Sequence, residues 1–435
     1  MEKNERSAEC FPIDAGGVVQ LLTGIREHVP TFLITIRTKE PVAREKLRDA
    51  VNKALDVFQI FKVRLAADGP DHSLVYKYNA GDADVYPYDG RTHAFGEESG
   101  GYLFRVYYAG NQVMLSMLHA LTDFCGAKEF LKCILCFYYE CMDGSPQEIM
   151  KHLAVDPNDL RDPYALYGSK DSPGFSMKNK VQNELEIPNR MLYRRNEPTV
   201  VRELYLSLAE CLKITKRTES SVFPLLTWLI GRATARTYGG EDRILTGTGA
   251  FNCRNMFHSG TPRNFSQTFP TALNPRERFL DLQLQLTVQR ARMDIELEKG
   301  TIMRSIADRR EAAERMMENP RQFILDQDSR EAEKRAIARK CSYFLSYLGH
   351  IDMGDELDQY IEDFSEVNTV TRNPVIAVAW ERRGMLTIKI MEAGCEKSIA
   401  PAIADIAGEL GISCGMTDPC PQCFDSFPLE ELVHD

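Results

Sequence analysis

The chain has no long hydrophobic run and no excess of basic charge. Its closest candidate for a membrane span, Ser220–Ile230, falls far short of the roughly 18 uncharged apolar residues required. The N-terminus, MEKNERSAEC, lacks the apolar segment of a secretory signal. Lysine and arginine total 53 against 63 aspartate and glutamate residues, which disfavours binding to nucleic acid or to anionic lipid. We therefore expect a globular cytoplasmic protein with no membrane span and no nucleic-acid partner.

Signatures of several common catalytic and metal sites are also missing. The sequence has no GxSxG elbow, which disfavours a hydrolase that forms a covalent acyl-enzyme, and no glycine-rich phosphate loop of the Walker or Rossmann type. Among the twelve cysteines, Cys414, Cys420 and Cys423 form a cluster near the C-terminus. A single CxxC without a second pair or a spaced histidine is a weak zinc signal. We expect free thiols, as in a reducing compartment, and no metal site.

Strand and helix patterns occur on both sides of a polar stretch rich in aspartate, proline, glycine and serine. The length predicts two or three domains, and 43% hydrophobic residues suffice for packed cores. We predict a first α/β domain over residues 1–155, a linker over 156–200 and a second α/β domain over 201–435. In the first domain, Val18–Thr38 predicts two strands around a turn, and Gly126–Met142 predicts a buried helix.

The candidate for chemistry is His119, which directly follows a predicted strand, Gln112–Leu118, and precedes Asp123 by four residues. The spacing alone is weak evidence, because His152 and Asp156 share it in a polar stretch with no strand before it. His119 lies between two predicted buried elements, where unsatisfied polar side chains are costly. A neutral histidine in that position can take the proton of a hydroxyl or amine that attacks an acyl carbonyl.

The same residues also have a purely structural interpretation. Thr122 or Asp123 can cap the helix that begins near Gly126, while His119 is a satisfied polar residue of the core. In the functional interpretation, Asp123 pairs with an arginine and fixes the loop without touching substrate. The local residues leave both interpretations open.

The surrounding sequence adds a resemblance to a known family. Met117–Ala127, MLHALTDFCGA, resembles the HxxxD(G) motif of the condensation-like, CoA-dependent acyltransferase superfamily, which includes chloramphenicol acetyltransferase, alcohol acetyltransferases, plant acyltransferases and peptide condensation domains. Ala54–Leu65 is similar to the family's helix-to-strand segment in its first half. Phe251–Arg254, followed by Arg263–Phe265, resembles its N-x-R strand end and GN turn, and Ser346–Ile351 resembles its S-x-L-G-x-I crossover strand. The closest branch in character is the alcohol acetyltransferases.

The resemblance implies an α/β fold of two similar subdomains, each a mixed sheet flanked by helices, with a tunnel between them. It implies that His119 is the general base and Asp123 the loop-fixing carboxylate. Arg254 is then the first choice as the partner of Asp123, and Arg64 the second. Ser346 is a candidate donor to the oxyanion, or alternatively a strand hydroxyl that is bonded locally.

The chain departs from the family pattern in three places. Phe124 stands where the family usually has glycine, so it would narrow or line the tunnel, and Gly126 would take over part of the role of that glycine in close backbone approach. Leu118 stands where peptide condensation domains tend to have a second histidine. The DFGWG motif of the plant branch is absent. Leu118 and the missing DFGWG motif therefore disfavour the peptide condensation branch and the plant branch, respectively.

The implied function is the transfer of an acyl group, acetyl in the simplest case, from CoA to a small or hydrophobic alcohol. Acyl-CoA would be a co-substrate, and no permanently bound cofactor is expected. Lys213, Lys216 and Arg217 could meet the phosphates of CoA, although a solvated helix face explains them as well. Two alternatives remain: an enzyme that takes its acyl group from an acyl carrier protein, and a non-catalytic binding module in which Phe124 blocks the site.

Overall fold

The computed structural model describes residues 10–22, 29–68, 73–141, 145–173, 198–326, 341–370 and 373–425. The helices of the first half are α1 (Ala15–Leu22), α2 (Arg44–Val57), α3 (Phe124–Tyr139), α4 (Pro146–Lys151) and α5 (Pro163–Tyr167). Those of the second half are α6 (Leu208–Arg217), α7 (Val222–Tyr238), α8 (Arg254–Phe257), α9 (Leu282–Glu296), α10 (Lys299–Met317), α11 (Pro320–Leu325), α12 (Asp355–Asp358) and α13 (Ala400–Glu409). None of the helices within these ranges is both long and apolar enough to cross a membrane.

The strands form two large mixed sheets and one small antiparallel sheet. The first half contains β1 (Cys10–Pro12), β2 (Thr31–Thr38), β3 (Val63–Asp68), β4 (Ser73–Tyr78), β5 (Val85–Pro87), β6 (Arg91–Thr92), β7 (Phe104–Ala109) and β8 (Gln112–Leu118). The second half contains β9 (Thr199–Ser207), β10 (Leu245–Asn252), β11 (Ser266–Leu273), β12 (Tyr343–His350), β13 (Ile361–Asn368), β14 (Val375–Arg382), β15 (Met385–Glu392), β16 (Cys414–Met416) and β17 (Cys420–Phe424).

The two large sheets exchange strands between the halves. The five-stranded sheet has the order β13-β2-β8-β7-β5, so its edge strand β13 comes from the second half. The nine-stranded sheet runs β11-β10-β12-β14-β15-β9-β17-β6, with β16 also paired to β9, so its edge strand β6 comes from the first half. The small sheet is β1-β4-β3. The central strands β8, β14 and β15 are buried along almost their whole length, so both faces of each large sheet are covered at its centre.

The crossover strand is not the one that the sequence predicts. Ser346 lies on β12, which pairs in parallel with β10 and β14 inside the nine-stranded sheet. Its neighbours Tyr343 and Leu345 are fully buried in the core of the second half, which holds β12 there. The strand that crosses to the first sheet is β13, whose Glu366 stands opposite Ile34 and whose Asn368 stands opposite Phe32.

Residues 15–22 form a helix where the sequence predicts a strand. The carboxylate of Asp14 accepts a hydrogen bond from the Gly17 amide at 2.8 Å, which caps the first turn of α1. All but one of the eight residues of α1 are buried, so the apolar run lacks the polar face that identifies an amphipathic helix. A side chain on Gly17 would lie 2.5 Å from the carbonyl oxygen of Ala120, so glycine lets α1 approach the loop after β8.

Asp14 is a buried carboxyl with an incomplete set of partners. Its second oxygen, Oδ2, has no hydrogen-bond partner in the described structure, and the residue is 1% exposed. Burial raises the pKa of Asp14 to about 7, against the opposing effect of the Arg263 guanidinium. The carboxyl therefore holds its proton at a pH at which an unfolded aspartate has lost it.

We expect Asp14→Asn to stabilise the protein progressively as the pH rises. Between about pH 4 and pH 7 the unfolded chain releases the Asp14 proton while the native protein keeps it, so wild-type stability falls across this window. Asparagine retains the capping oxygen but does not titrate. The difference in free energy of unfolding between variant and wild type should therefore grow by on the order of 2–3 kcal/mol between pH 4 and pH 8.

Urea denaturation at several pH values measures this difference. Asp405→Asn, on the exposed side of α13, is the control that removes a carboxylate without touching the core. Parallel curves of unfolding free energy against pH for wild type and Asp14→Asn would contradict the raised pKa of Asp14.

Candidate active site

His119 lies at the end of β8, where the chain leaves the five-stranded sheet. Its amide donates to the carbonyl of Pro30 at 2.8 Å, and its ring meets the edge of Phe32 at 5.2 Å between centroids, with an interplanar angle of 76°. The residue is partly exposed and its Nδ1 atom is buried, and the Asn264 side chain and the Thr122 backbone act on the ring. Burial lowers the pKa of His119, so the ring is neutral at pH 7 and able to accept a proton.

The backbone of the loop after β8 is held from two sides. Asn264, from the second half, donates its side-chain amide to the carbonyls of His119 at 2.9 Å and Ala120 at 3.0 Å. The hydroxyl of Tyr76, on β4, donates to the same Ala120 carbonyl at 2.9 Å. Because both donors are buried, they fix the backbone that carries the His119 ring. In the sequence, Asn264 is notable only because Arg263–Phe265 resembles the family's GN turn. Nothing there predicts its contact with the loop, which joins residues 145 positions apart.

Asp123 joins the two halves of the chain behind this loop. Its side chain caps α3 by accepting from the amides of Cys125 at 3.1 Å and Gly126 at 3.3 Å. The guanidinium of Arg254 binds it with two hydrogen bonds, at 2.8 and 2.9 Å, and the Phe265 amide donates at 2.9 Å. Burial opposes ionisation of Asp123, but the Arg254 charge and these hydrogen bonds outweigh it and lower its pKa. Asp123 therefore has both roles at once: it caps α3 and it forms an ion pair with an arginine.

The whole guanidinium group of Arg254 is used in hydrogen bonds where the two halves meet. Besides Asp123, its guanidinium donates to the carbonyls of Thr261 at 2.8 Å and Arg263 at 2.6 Å, and to the side-chain oxygen of Asn252 at 3.2 Å. The residue is 4% exposed. Of the two arginines that the sequence nominates, the structure places Arg254 on Asp123, whereas Arg64 lies exposed on β3.

Gly126 allows α3 to pack against the second half. A Cβ atom at this position would lie 2.1 Å from the carbonyl oxygen of Pro262 and 2.2 Å from the hydroxyl of Thr122. That hydroxyl in turn donates to the Pro262 carbonyl at 2.5 Å. No other residue type fits this contact, so the close approach depends on glycine.

Replacing Gly126 with alanine should destabilise the fold. The new methyl group forces the Pro262 segment away from α3 and breaks the Thr122 hydrogen bond, at a cost of about 1–3 kcal/mol or more. Chemical denaturation gives the free energy of unfolding. Gly408→Ala is the matched control, because Gly408 lies within α13 with no atom within 4 Å of its missing Cβ, and alanine favours a helix there by about 1 kcal/mol. Equal effects of the two substitutions would contradict the packing argument.

Phe124 begins α3 and turns towards the crossover strand. Its ring meets Phe364, on β13, edge-on at 5.9 Å, and Phe364 meets Trp380, on β14, at 5.4 Å. Phe124 is partly exposed, and Phe364 is buried. The residue that replaces the usual glycine therefore contributes to an aromatic contact between α3 and both large sheets.

The remaining candidates from the sequence lie apart from this loop. Ser346 is partly exposed on β12, and its hydroxyl makes no side-chain hydrogen bond within the described ranges. His152 and Asp156 are exposed, so the second HxxxD match is on the surface. In the part of the chain that the structure describes, no group of three metal-ligating side chains comes together, and the thiols of Cys414, Cys420 and Cys423 are free.

The basic residues of α6 line a surface groove. Lys213 and Arg217 border a groove of about 570 Å³ together with Glu210, and Lys216 is exposed on the same helix. The Glu210 carboxylate accepts from the Ser413 amide at 2.6 Å, so the groove mixes both signs of charge. The solvated helix face therefore describes these lysines and the arginine better than a phosphate site.

Comparisons with known proteins place the fold. No protein-family model and no curated protein matches the sequence. The solved structure of TRI101 from F. sporotrichioides with coenzyme A and T-2 is similar with a TM-score of 0.61 at 11% identity, over 93% of this chain and 99% of that one. TRI3 trichothecene 15-O-acetyltransferase from Fusarium sporotrichioides gives 0.52 at 10%, over 92% and 93%. The epimerization domain from the third module of tyrocidine synthetase B gives 0.53 at 12%, over 88% and 90%.

These likenesses extend over nearly the whole chain. They confirm the predicted fold class, an α/β fold of the kind found in chloramphenicol acetyltransferase, with two mixed sheets flanked by helices. The chain has the fold of TRI101, of the TRI3 15-O-acetyltransferase and of the tyrocidine synthetase epimerization domain.

Proposed function

We propose that this protein transfers an acyl group, acetyl in the simplest case, from CoA to an alcohol. The observation that carries the proposal is His119: a neutral, partly exposed imidazole at a strand end, on a loop fixed by buried contacts from both halves of the chain. The fold supports the assignment. So do the neighbours, since the TRI101 structure contains coenzyme A and T-2, and TRI3 is a 15-O-acetyltransferase by name.

In the proposed reaction, His119 takes the proton of the acceptor hydroxyl as its oxygen attacks the thioester carbonyl. The tetrahedral intermediate then collapses, the carbon–sulfur bond breaks, and the CoA thiolate leaves and is protonated by the imidazolium. The products are an ester and free CoA, and the imidazole is neutral again. The rate enhancement comes from holding both substrates at one base, which takes the proton from the hydroxyl and returns it to the leaving thiolate.

Asp123 and Arg254 have a positioning role in this proposal. Their atoms are engaged with each other and with backbone groups, so neither has a free group to offer a substrate. They hold the start of α3 against the Arg263 segment, and Asn264 in that segment holds the carbonyl of His119. Breaking the pair would therefore displace the base indirectly.

We also propose that the reaction takes place in the cytoplasm. All twelve cysteines are free thiols, as is usual in a reducing compartment, and this supports the location. They include Cys133 and Cys136 on α3 and Cys141 just after it.

The proposal is tested by thiol release from acetyl-CoA with a panel of alcohols and amines, with ester formation followed by mass spectrometry. We expect acceptor-dependent release with alcohols, one thiol for each ester. Release only from an acetylated phosphopantetheinyl carrier protein would replace CoA by the carrier as donor. Absence of release from either donor would overturn the enzymatic proposal in favour of a binding module.

A further inference from the structure

A second buried carboxyl, Glu366, lies on the crossover strand β13. It is 3% exposed, and one carboxyl oxygen accepts from the side-chain amide of Asn368 at 3.1 Å. The other oxygen, Oε2, is buried and has no hydrogen-bond partner in the described structure. A buried carboxyl oxygen without a donor is unfavourable, and such groups in native proteins usually have a water, an ion or a ligand as partner.

The strand register places Glu366 on the same face of the sheet as the ring that touches His119. Glu366 stands opposite Ile34, and Asn368 stands opposite Phe32. Side chains two residues apart on a strand share a face, as do directly opposed residues. Glu366 is therefore a diagonal neighbour of Phe32, with side chains spaced by about 7–8 Å. The Phe32 ring meets that of His119 at 5.2 Å.

The nearest cation does not satisfy the free oxygen. Lys389, on β15, acts electrostatically on Glu366, but its ammonium is bound by the Glu203 carboxylate and the Ser365 hydroxyl. Burial raises the pKa of Glu366 to about 7, so at pH 8 its free oxygen is a carboxylate oxygen that can only accept a hydrogen bond. The missing partner is therefore best supplied by a neutral donor such as a hydroxyl.

We propose that Glu366 binds the acceptor, its free oxygen accepting a hydrogen bond from a second hydroxyl while the first hydroxyl reacts at His119. The preferred acceptors are then diols or polyols whose two hydroxyls are separated by no more than about 13 Å, since the diagonal spacing of about 7–8 Å and the 5.2 Å between the Phe32 and His119 rings together limit the span. This inference rests on the proposed function. In this inference, Glu366 is a residue of the first sheet that determines acceptor specificity and lies outside the HxxxD motif.

Three acceptors, assayed at pH 8, share a six-carbon chain and differ at its far end: hexane-1,6-diol, 6-methoxyhexan-1-ol and hexan-1-ol. The diol offers a donor to Glu366, the methyl ether offers only an acceptor, and hexanol offers neither. We expect wild-type kcat/KM to favour the diol over the ether by about tenfold or more, because a buried group built to pair with a hydroxyl rejects the analogue that lacks its proton.

Glu366→Gln provides the second comparison. Since Asn368 donates to one side-chain oxygen, glutamine presents its amide N–H groups where the free oxygen stood. The preference should therefore shift towards the ether and lose its tenfold bias. Glu392→Gln is the matched control. Glu392 is also buried, but its carboxylate is paired with the Ile399 amide and Arg202, so the substitution should leave the ratio of diol to ether unchanged.

The outcomes distinguish the two proposals. Turnover of hexanol without a wild-type preference for the diol, or a preference that survives in Glu366→Gln, overturns the role of Glu366 and leaves the proposed function intact. No turnover of any acceptor from any thioester overturns the proposed function and the inference with it. The wild-type comparison of diol and ether needs no variant, so the inference can be refuted even if Glu366→Gln does not fold.

Discussion

His119→Ala should lower acceptor-dependent kcat/KM for thiol release by at least about 100-fold. The imidazole is the neutral, partly exposed group at the end of β8, and alanine leaves the attacking hydroxyl without a base. The loop itself should persist, because its contacts with Pro30 and Asn264 are made by backbone atoms of residue 119. The loss should therefore occur without loss of fold, as checked by circular dichroism and thermal melting.

The sequence provides a control for this experiment. His152 precedes Asp156 with the same spacing but is exposed, and its hydrogen bonds to Lys132 and Ile149 are made by backbone atoms. His152→Ala should therefore retain full activity. Equal activity of His119→Ala and wild type would remove His119 from the mechanism.

Arg254→Met should reduce the free energy of unfolding by about 3–5 kcal/mol. The substitution leaves the Asp123 carboxylate buried beside α3 without its cation, and it also removes donors to the carbonyls of Thr261 and Arg263. A charge that remains buried without a partner is much more costly than the pair is stabilising. Urea denaturation, followed by fluorescence, measures the change.

An exposed ion pair between the same two halves provides the comparison. Arg37 on β2 binds Asp363 on β13, and both side chains are about half exposed, at 47% and 48%. Arg37→Met should cost less than about 1 kcal/mol, because water screens and replaces this pair. Similar losses for Arg37→Met and Arg254→Met would show that the Asp123–Arg254 pair is not the stabilising contact.

A double substitution tests the cause of the loss. Adding Asp123→Asn to Arg254→Met removes the orphaned charge while keeping an oxygen to cap α3. We expect the double variant to recover part of the stability lost in Arg254→Met. A further loss equal to that of Asp123→Asn alone would mean that the two residues act independently.

The features of the site that depend on residues close together in the chain can be predicted from the sequence. The strand before His119, the helix after Asp123 and the cap between them follow from local periodicity and from the preference of aspartate for helix N-termini. Arg254 was nominated only through resemblance to a family motif, since nothing local to Phe251–Arg254 shows that its guanidinium reaches a carboxylate 131 residues earlier in the chain.

The features that escape sequence reasoning depend on distant contacts. Helix α1 is buried on nearly all sides, so its apolar run has no period to separate a helix from a strand. Asn264 and Glu366 are ordinary polar residues in the sequence, and their positions beside the His119 loop and the first sheet arise only when the halves assemble. The resemblance to a family motif places the crossover at Ser346–Ile351, whereas the strand that pairs with β2 in the first sheet is β13.

The exchange of β13 has a consequence for how the protein is made. On the ribosome, β2 emerges long before its edge partner, and the contact between Thr31 and Thr369 spans 338 residues. Until translation has passed residue 368, the nascent first half exposes an unpaired edge beside Phe32 and Ile34, a surface prone to adding strands from other chains. Completion of this sheet therefore comes late in synthesis, and its high contact order slows folding while the open edge is exposed to aggregation.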